Sequence, residues 1–143
     1  MAKISEAQQA ARIKLVDEHI RAESRGDWDA TAATLGKHPY YEYSGEVLDG
    51  MDAVRGHYER GFTGFPDLNV EVAARHVSDE AIIVEGVWTG THQGSIEGVP
   101  ATGRRVKIPI FMVFTFINDE KILGERVYSI DNDVVHDQIL APS

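Results

Sequence analysis

Hydrophobic residues first recur at helical spacing near the N-terminus. Ile13, Val16 and Ile20 lie three or four residues apart, which is typical of one face of a helix. The spacing predicts a helix from about Glu6 to Arg25. Ser5 stands three residues before a glutamine, as in a capping box, and therefore marks the start of this helix.

A second, shorter helix follows directly. Gly26 suits the left-handed position after a helix, and Asp27 is a preferred N-cap residue. We expect this helix to carry Trp28 and Leu35. The chain therefore begins with two consecutive helices.

The next segment predicts one strand and a third helix. Residues 40–48 are rich in aromatic and β-compatible side chains and end in Asp49-Gly50, which closes the strand and begins the helix. The helix carries Val54 and Tyr58. It ends before Pro66, since proline forces the preceding residue out of helical geometry.

Beyond Pro66 the pattern changes to strands joined by short turns. Four consecutive hairpin-linked strands predict an antiparallel meander, and glycines within the longer ones predict bending. Helices followed by strands indicate an α+β fold, with N-terminal helices packed on a strongly curved, mostly antiparallel sheet around one pocket. The predicted strands are Leu68–Val77, Ala81–His92, Val106–Ile117 and Lys121–Ile130.

Composition sets the broad class of protein. The 143 residues, 43% hydrophobic and 26% charged, fit a single folded domain over 1–143. Without a signal-like apolar core or a run of membrane-spanning length, we expect a cytoplasmic protein that does not bind membranes. A net charge of −9, with 14 basic residues scattered among 23 acidic ones, argues against nucleic-acid partners. There are no cysteines, so thiolate metal sites and cysteine nucleophiles are excluded.

Several short motifs follow one another along the chain: Gly50-Met51-Asp52-Ala53-Val54-Arg55, Phe65-Pro66-Asp67, Gly90-Thr91-His92, Gly98-Val99-Pro100-Ala101-Thr102-Gly103-Arg104, Lys121-Ile122, and Asp131 with Gln138. In this order they resemble the motifs of the SnoaL-like polyketide cyclase family. This family belongs to the nuclear transport factor 2-like superfamily, which includes ketosteroid isomerase. The resemblance implies a cone-shaped α+β barrel with one pocket.

The resemblance implies a cofactor-independent enzyme that uses general acid/base, enolate-type chemistry on a hydrophobic carbonyl substrate, as in aldol cyclisation. Because one fold hosts many functions, other reactions of the superfamily stay open: isomerisation, dehydration, carbon–carbon cleavage and epoxide hydrolysis. A non-catalytic dimer that binds small ligands is the alternative from a different class.

Asp131 is the leading catalytic candidate. It follows the last predicted strand and matches the family position whose aspartate serves as acid/base. Burial at the mouth of an apolar cavity would raise its pKa to a range useful for removing a proton next to a carbonyl. Alternatively, Asp131 caps a final helix over 134–140, and one carboxylate could do both.

His92 and His38 are the second and third catalytic candidates. Strict alternation places His92 with the apolar face of its strand. There it could accept a proton or donate a hydrogen bond to a substrate carbonyl. Alternatively, it only stabilises the hairpin loop. His38 enters the first strand with the same parity as Tyr40 and Glu42, which could present polar groups to a substrate. An exposed histidine is the alternative for His38.

Large apolar side chains are candidates for lining the pocket, with core packing as the alternative. Residues 106–117 alternate so that both faces of one strand are apolar, which predicts a homodimer formed through the outward face. The candidates for substrate contact are Trp28, Tyr58, Trp88, Met112 and Phe114, together with Tyr40 and Glu42.

No motif for a metal or nucleotide is found, so we expect no metal site and no cofactor. The other histidines lack partners at ligand spacing, and the sequence predicts them to be solvated or packed. These are His19, His57, His76 and His136.

Overall fold

A computed structural model describes residues 3–129 and 135–140 of the chain. Within these ranges, three helices and two strands make up the part of the chain up to Gly64, and four strands follow before a π-helical turn at Val135–Ile139. The elements are α1 Glu6–Ser24, α2 Trp28–Ala33, β1 Leu35–Tyr43, β2 Glu46–Asp49, α3 Met51–Gly64, β3 Asn69–Val77, β4 Ala81–Thr91, β5 Arg105–Asn118 and β6 Lys121–Ser129.

The predicted first helix is confirmed together with its cap. The Ser5 hydroxyl accepts a hydrogen bond from the Gln8 backbone N–H (3.1 Å), and the Gln8 side chain accepts one from the Ser5 N–H (2.9 Å). This reciprocal capping box satisfies two of the free amides that begin a helix. Gly26, with φ of 65°, lies just beyond the end of α1, in the conformation that glycine adopts most easily.

Two expectations about the following segment are wrong. Leu35 begins β1 instead of extending α2, because its backbone pairs with Ile122 of β6. The single strand expected over 40–48 is a hairpin of β1 and β2. Ser44 and Gly45 both have positive φ (51° and 82°), as a two-residue hairpin turn requires.

The six strands form one mixed sheet in the order β2-β1-β6-β5-β4-β3. Strands β3 to β6 make the predicted antiparallel meander, and β1 joins β6 in the one parallel pair among the described strands. With α1 and α3 packed against the sheet, the predicted α+β class is confirmed. No helix within 3–129 and 135–140 is long and apolar enough to cross a bilayer.

A bulge bends the sheet between β3 and β4. The register shifts by one residue between Val72 and Ala74, opposite Gly86. A Cβ on Gly86 would lie 2.9 Å from the Glu71 carbonyl oxygen, so this close backbone approach requires glycine. The bend predicted from the glycines of β4 therefore coincides with this bulge.

The core lies between the concave face of the sheet and the helices. Alternate residues of β5 point into it, and the residues between them point outward. Phe111, on the outward face, is 49% exposed. The buried members of β5 are Val106, Ile108, Ile110, Met112 and Phe114.

Tyr40 packs across a glycine on the outer face of the sheet. A Cβ on Gly124 would lie 2.1 Å from the Tyr40 ring. The Tyr40 hydroxyl is held by Thr115 (2.9 Å) and by the Arg126 guanidinium (3.2 Å), so the ring cannot move away without losing both bonds.

We expect Gly124→Ala to lower the free energy of unfolding by about 1 to 3 kcal/mol, because an overpacked site must shift its neighbours. Gly56→Ala is the control, since its added Cβ meets only the flexible end of Arg60 at 3.5 Å and improves helix propensity. Urea unfolding of both variants measures the difference. Equal effects would contradict the packing argument.

Candidate active site

A cavity of about 350 Å³ opens between α3 and the concave face of the sheet. Apolar side chains of β5 and β6 form one wall, and aromatic rings from α3 and the segment after it form the other. The rim is polar, with the exposed side chains of Glu46, Arg60 and Glu97. Such a space, apolar inside and polar at its mouth, suits one small organic molecule.

Two carboxyl groups project into this cavity from opposite elements. Glu125 lies on β6, shares the inward face with Val127, and is only 3% exposed. Glu23 lies in the last turn of α1, and its Oε2 is buried with no hydrogen-bond partner among the described residues. Buried carboxyl groups are uncommon because their charged forms lose hydration. Two of them in one cavity therefore indicate a functional site.

Glu125 is held by a buried chain of hydrogen bonds. The Tyr58 hydroxyl donates to Glu125 Oε2 (2.7 Å), and His19 Nε2 lies 2.9 Å from the same hydroxyl. His19 Nε2 is also 3.4 Å from Glu125 Oε2. On its other side, His19 Nδ1 meets the Thr34 hydroxyl at 2.8 Å. His19 is completely buried, while Tyr58 and Glu125 are 4% and 3% exposed and line the cavity.

Glu23 differs from Glu125 in its surroundings. Burial, and then repulsion from Glu125, raises the pKa of Glu23 well above its ordinary value of 4.5. Glu23 therefore keeps its proton to a higher pH than an exposed glutamate. Two carboxyl groups with different environments in one pocket are the usual arrangement for an acid and a base.

Three ring side chains of the lining stay uncharged near neutral pH: Tyr41, Tyr58 and His57. Burial and the charge of Glu125 raise the pKa values of Tyr41 and Tyr58 well above their usual value, so both hydroxyls remain hydrogen-bond donors. Burial lowers the pKa of His57 to about 4, and its ring lies 4.0 Å from the Tyr41 ring. At neutral pH the lining therefore offers neutral donors and acceptors around the two carboxyl groups.

The candidates for substrate contact are only partly brought together. Tyr58, Trp88 and Met112 line the cavity. Phe114 is fully buried, with its ring 5.4 Å from that of His19, and Trp28 lies beside Tyr58 at 5.9 Å between ring centroids. Neither Phe114 nor Trp28 is part of the described lining.

Three polar candidates near the first strand lie away from the cavity. Tyr41 and Tyr43 of β1 face the cavity, so the alternate residues Tyr40 and Glu42 occupy the opposite face of the sheet. His38 is exposed on β1. The structure thus separates His38, Tyr40 and Glu42 from Glu23 and Glu125.

His92 is buried, as its parity indicates, but it is absent from the described cavity lining. Its Nδ1 accepts a hydrogen bond from the Thr102 N–H (3.2 Å) and lies 2.9 Å from the Thr102 hydroxyl. Backbone bonds join His92 to Gly103 and Arg104 as well. In this position the ring ties the two halves of the loop over 92–104 together.

Asp131, the leading candidate from the sequence, lies outside the described residues. Its role stays a prediction.

Sequence reasoning missed four groups of this site: Glu23, Glu125, His19 and His57. His19 and Glu23 are four residues apart, in the same stripe of α1 as the buried Leu15. Polar side chains within an apolar helical stripe were the available signal. Glu125 likewise shares the parity of Val127, where a carboxylate is unexpected in a core strand.

Of the four other histidines, the structure describes the side chains of three. His19 and His57 are buried or half-buried beside polar partners, and exposed His76 pairs with Glu85 at 2.6 Å. The side chain of His136 lies outside the described part of the chain. Within the described ranges no group of three or more His, Asp or Glu side chains could hold a metal ion.

Replacing Glu23 by Gln should stabilise the protein increasingly as pH rises. With its raised pKa the folded state binds more protons than the unfolded state above 4.5, so the wild type loses stability as pH rises toward the folded pKa. Gln has no such titration. Urea unfolding from about pH 5 to about pH 8 measures the difference between variant and wild type.

Glu18→Gln is the control, because Glu18 is exposed on the same helix. It should leave the pH dependence of stability unchanged. A stability difference between Glu23→Gln and wild type that stays constant with pH would contradict a raised pKa for Glu23.

The comparisons with known proteins agree on one family. The SnoaL-like polyketide cyclase family matches residues 13–138. No curated protein sequence matches the chain. Among solved structures, a protein from Jannaschia sp. CCS1 described as a SnoaL-like polyketide cyclase superposes with a TM-score of 0.85 at 21% identity, covering 99% of this chain and 100% of that one.

Two further structures are similar in fold. SalBIII, described as an epoxide hydrolase/cyclase-like enzyme in pyran ring formation of the polyether salinomycin, has a TM-score of 0.74 at 23% identity over 86% of this chain and 94% of that one. A protein from Catenulispora acidiphila with a ketosteroid isomerase-like fold has a TM-score of 0.66 at 16% identity over 83% and 88%. The fold is accordingly the cone-shaped α+β barrel expected, and the family indicates a cyclase-type enzyme. With most of its length matched, the chain belongs to the SnoaL-like polyketide cyclase family.

Proposed function

We propose that this protein is a cofactor-independent enzyme that moves protons on a small, uncharged, hydrophobic carbonyl compound, in a cyclase-type reaction. The observation that carries the proposal is the pair of carboxyl groups, Glu23 and Glu125, buried in one apolar cavity with different environments. Family membership supports a cyclase-type reaction, and the pair supplies the acid and the base that enolate chemistry needs.

Glu125 is the proposed base. Its Oε2 accepts the Tyr58 hydrogen bond, which orients the carboxylate, and it takes the proton from the carbon next to the substrate carbonyl. The electron pair of the broken C–H bond moves into the enolate, and the carbonyl oxygen gains negative charge. Glu23, which holds its proton because of its raised pKa, donates a hydrogen bond or that proton to this oxygen.

For ring closure the enolate carbon attacks a second carbonyl of the same substrate, forming the new carbon–carbon bond. The proton held by Glu125 is then available for the new alkoxide. When the first carbonyl forms again, any proton that Glu23 gave to its oxygen returns to Glu23. No external oxidant or reductant is needed for this balance. An epoxide opened by Glu23 as the acid would use the same two groups.

The cavity favours a substrate without negative charge. Its polar interior consists of two carboxyl groups and the neutral rings of His57, Tyr41 and Tyr58. The one arginine in the described lining, Arg60, is exposed at the rim. A substrate carboxylate inside would face like charge without a buried cation, which is costly. A methyl ester should therefore bind more tightly than the corresponding free acid.

The activity test uses a panel of polyketide-like ketones, cyclic ketones and epoxy ketones, followed by mass spectrometry. Glu125→Gln keeps the size of the side chain but loses the base, so turnover should fall by a factor of about 10² to 10⁴. Glu23→Gln should lose less if Glu23 only donates a hydrogen bond, because an amide also donates one. Glu18→Gln is the matched control.

Asp131→Asn belongs in the same experiment, since Asp131 stays the base that the family resemblance implies. A larger loss of turnover in Asp131→Asn than in Glu125→Gln would give the base role to Asp131. Full activity in both Glu125→Gln and Glu23→Gln would overturn the proposed carboxyl pair. Tight binding of panel compounds without turnover in the wild type would instead indicate a non-catalytic binder.

We also propose that the outward face of β4, β5 and β6 forms a homodimer interface. Phe111 and Tyr128 are direct neighbours across the β5–β6 pair and are 49% and 51% exposed, and Ile83 on β4 is 37% exposed. Exposed apolar side chains grouped on one face of a sheet favour association.

Sedimentation should give twice the chain mass of 15.8 kDa at micromolar concentration. Phe111→Lys should shift the protein toward the monomer, because it places a charge in the centre of the apolar face. Val47→Lys, at the exposed β1–β2 hairpin, should not. A wild-type monomer under these conditions would rule out the proposed interface.

A further inference from the structure

Behind the cavity, a buried histidine that the proposed chemistry does not touch is joined to the proposed base. We infer that His19 and Glu125 hold one proton between them through the Tyr58 hydroxyl, and that His19 is the positioning residue that keeps Glu125 in the form of a base. The functional part of this inference rests on the proposed role of Glu125. The proton count itself rests only on the hydrogen bonds.

At the Thr34 end of this chain of hydrogen bonds, the protonation of one nitrogen of the His19 ring is fixed. The Thr34 hydroxyl donates its single proton to the Thr31 carbonyl oxygen (2.7 Å). At His19 Nδ1, 2.8 Å away, that hydroxyl can therefore act only as an acceptor. Nδ1 must carry a hydrogen, so any change of protonation on His19 takes place at Nε2.

At the Glu125 end of this chain of hydrogen bonds, the protons can be arranged in two ways. Tyr58 has one hydroxyl proton and two close neighbours, His19 Nε2 at 2.9 Å and Glu125 Oε2 at 2.7 Å. If Tyr58 donates to a Glu125 carboxylate, Nε2 must donate to Tyr58, which makes His19 an imidazolium. If Tyr58 donates to Nε2, Glu125 must carry a proton and donate it to Tyr58.

Both arrangements contain the same number of protons. Each has one proton more than a neutral His19 beside a Glu125 carboxylate, and they interconvert when two protons shift along the chain. Without that proton, Nε2 and the Tyr58 oxygen face each other with lone pairs and one buried hydrogen bond is lost. An unsatisfied buried group is costly, which favours retention of the proton.

The surroundings of His19 also favour a positive charge there. The titratable side chains described around this chain are Glu23 on α1, Tyr41 on β1, His57 and Tyr58 on α3, and Glu125 on β6. None of them is a cation near neutral pH, because His57 has a pKa of about 4. A buried charge needs a close partner of opposite sign, and Glu125 Oε2 supplies it at 3.4 Å.

The shared proton has a consequence for the reaction. In the arrangement with charged His19, Glu125 is a carboxylate facing the cavity and can accept the substrate proton. His19 does not line the cavity and is completely buried, so its charge is not exchanged with solvent at each turnover. His19 therefore positions and charges the base without meeting the substrate.

The test reads protonation directly in the ligand-free protein. Protein labelled with ¹⁵N-histidine and with ¹³C at the glutamate carboxyl carbon is studied by NMR near neutral pH. The His19 signal is assigned by its loss in His19→Gln, or from contacts with the Phe114 ring if that variant does not fold. Glu125→Gln assigns the carboxyl signal, and contacts with the Tyr58 ring do so if needed.

Doubly protonated His19 with a Glu125 carboxylate supports the inference. Protonated Glu125 with His19 protonated only at Nδ1 supports the shared proton but overturns the positioning role, because a protonated Glu125 is not a base. A singly protonated His19 beside an ionised Glu125 would overturn it. This result does not depend on a substrate, so the shared proton and the proposed function can fail separately.

Tyr58→Phe removes the bridging hydroxyl and should shift both the His19 and Glu125 signals. Tyr41→Phe is the matched control, because Tyr41 is a second buried tyrosine of the cavity without a described hydrogen bond to this chain. It should leave the His19 signals in place. Unchanged His19 and Glu125 signals in Tyr58→Phe would exclude Tyr58 as the bridge.

With a substrate in hand, His19→Gln should lower kcat more than it raises KM and should shift the pH profile of kcat. Gln can still donate to the Tyr58 oxygen but cannot carry the proton. A purely structural role would lower stability and leave the pH profile in place. An unshifted pH profile in a folded His19→Gln variant would overturn the positioning role.

Discussion

Burial of the Glu125 carboxyl group is the constraint on which the site depends. A carboxylate in an apolar core loses its hydration and must find replacement donors inside the protein. Tyr58 on α3 donates to Glu125, His19 on α1 bonds Tyr58 and lies 3.4 Å from Glu125 Oε2, and Thr34 in turn holds His19. Two helices and the sheet are therefore fixed to one another at the floor of the cavity, by the same bonds that orient a reactive group.

Burial also decides the form of Glu23, but there it favours the protonated carboxyl group. It has no described donor at Oε2 and is repelled by Glu125, so its proton is retained to higher pH. The difference between the two carboxyl groups arises from their neighbours, since the side chains are chemically identical. An acid and a base can thus be built from two glutamates because Glu125 Oε2 accepts a buried hydrogen bond and Glu23 Oε2 has no described donor.

The loop that carries the most specific family motifs serves the cavity indirectly. His92 holds Thr102 across the loop, and the Asp67 carboxylate accepts hydrogen bonds from the backbone N–H and the hydroxyl of Thr91 (both 2.7 Å). The Phe65 ring, which lines the cavity, packs against Trp88 at 4.9 Å and His92 at 5.8 Å. These motifs therefore fix the aromatic wall near the loop, while the carboxyl groups lie between α1 and β6.

The sequence by itself determined the elements that depend on local chemistry. Capping by Ser5 and Asp27, the break at Pro66 and the alternation along β4 and β5 each act within a few residues, and the structure has them as predicted. Only the tertiary structure decided the start of β1 at Leu35, which needs its partner on β6, and the meeting of His19, Tyr58 and Glu125. Those three residues are distant along the chain and carry no joint motif. Their proximity follows from how α1 and α3 pack on the sheet, which no periodicity within a single element can specify.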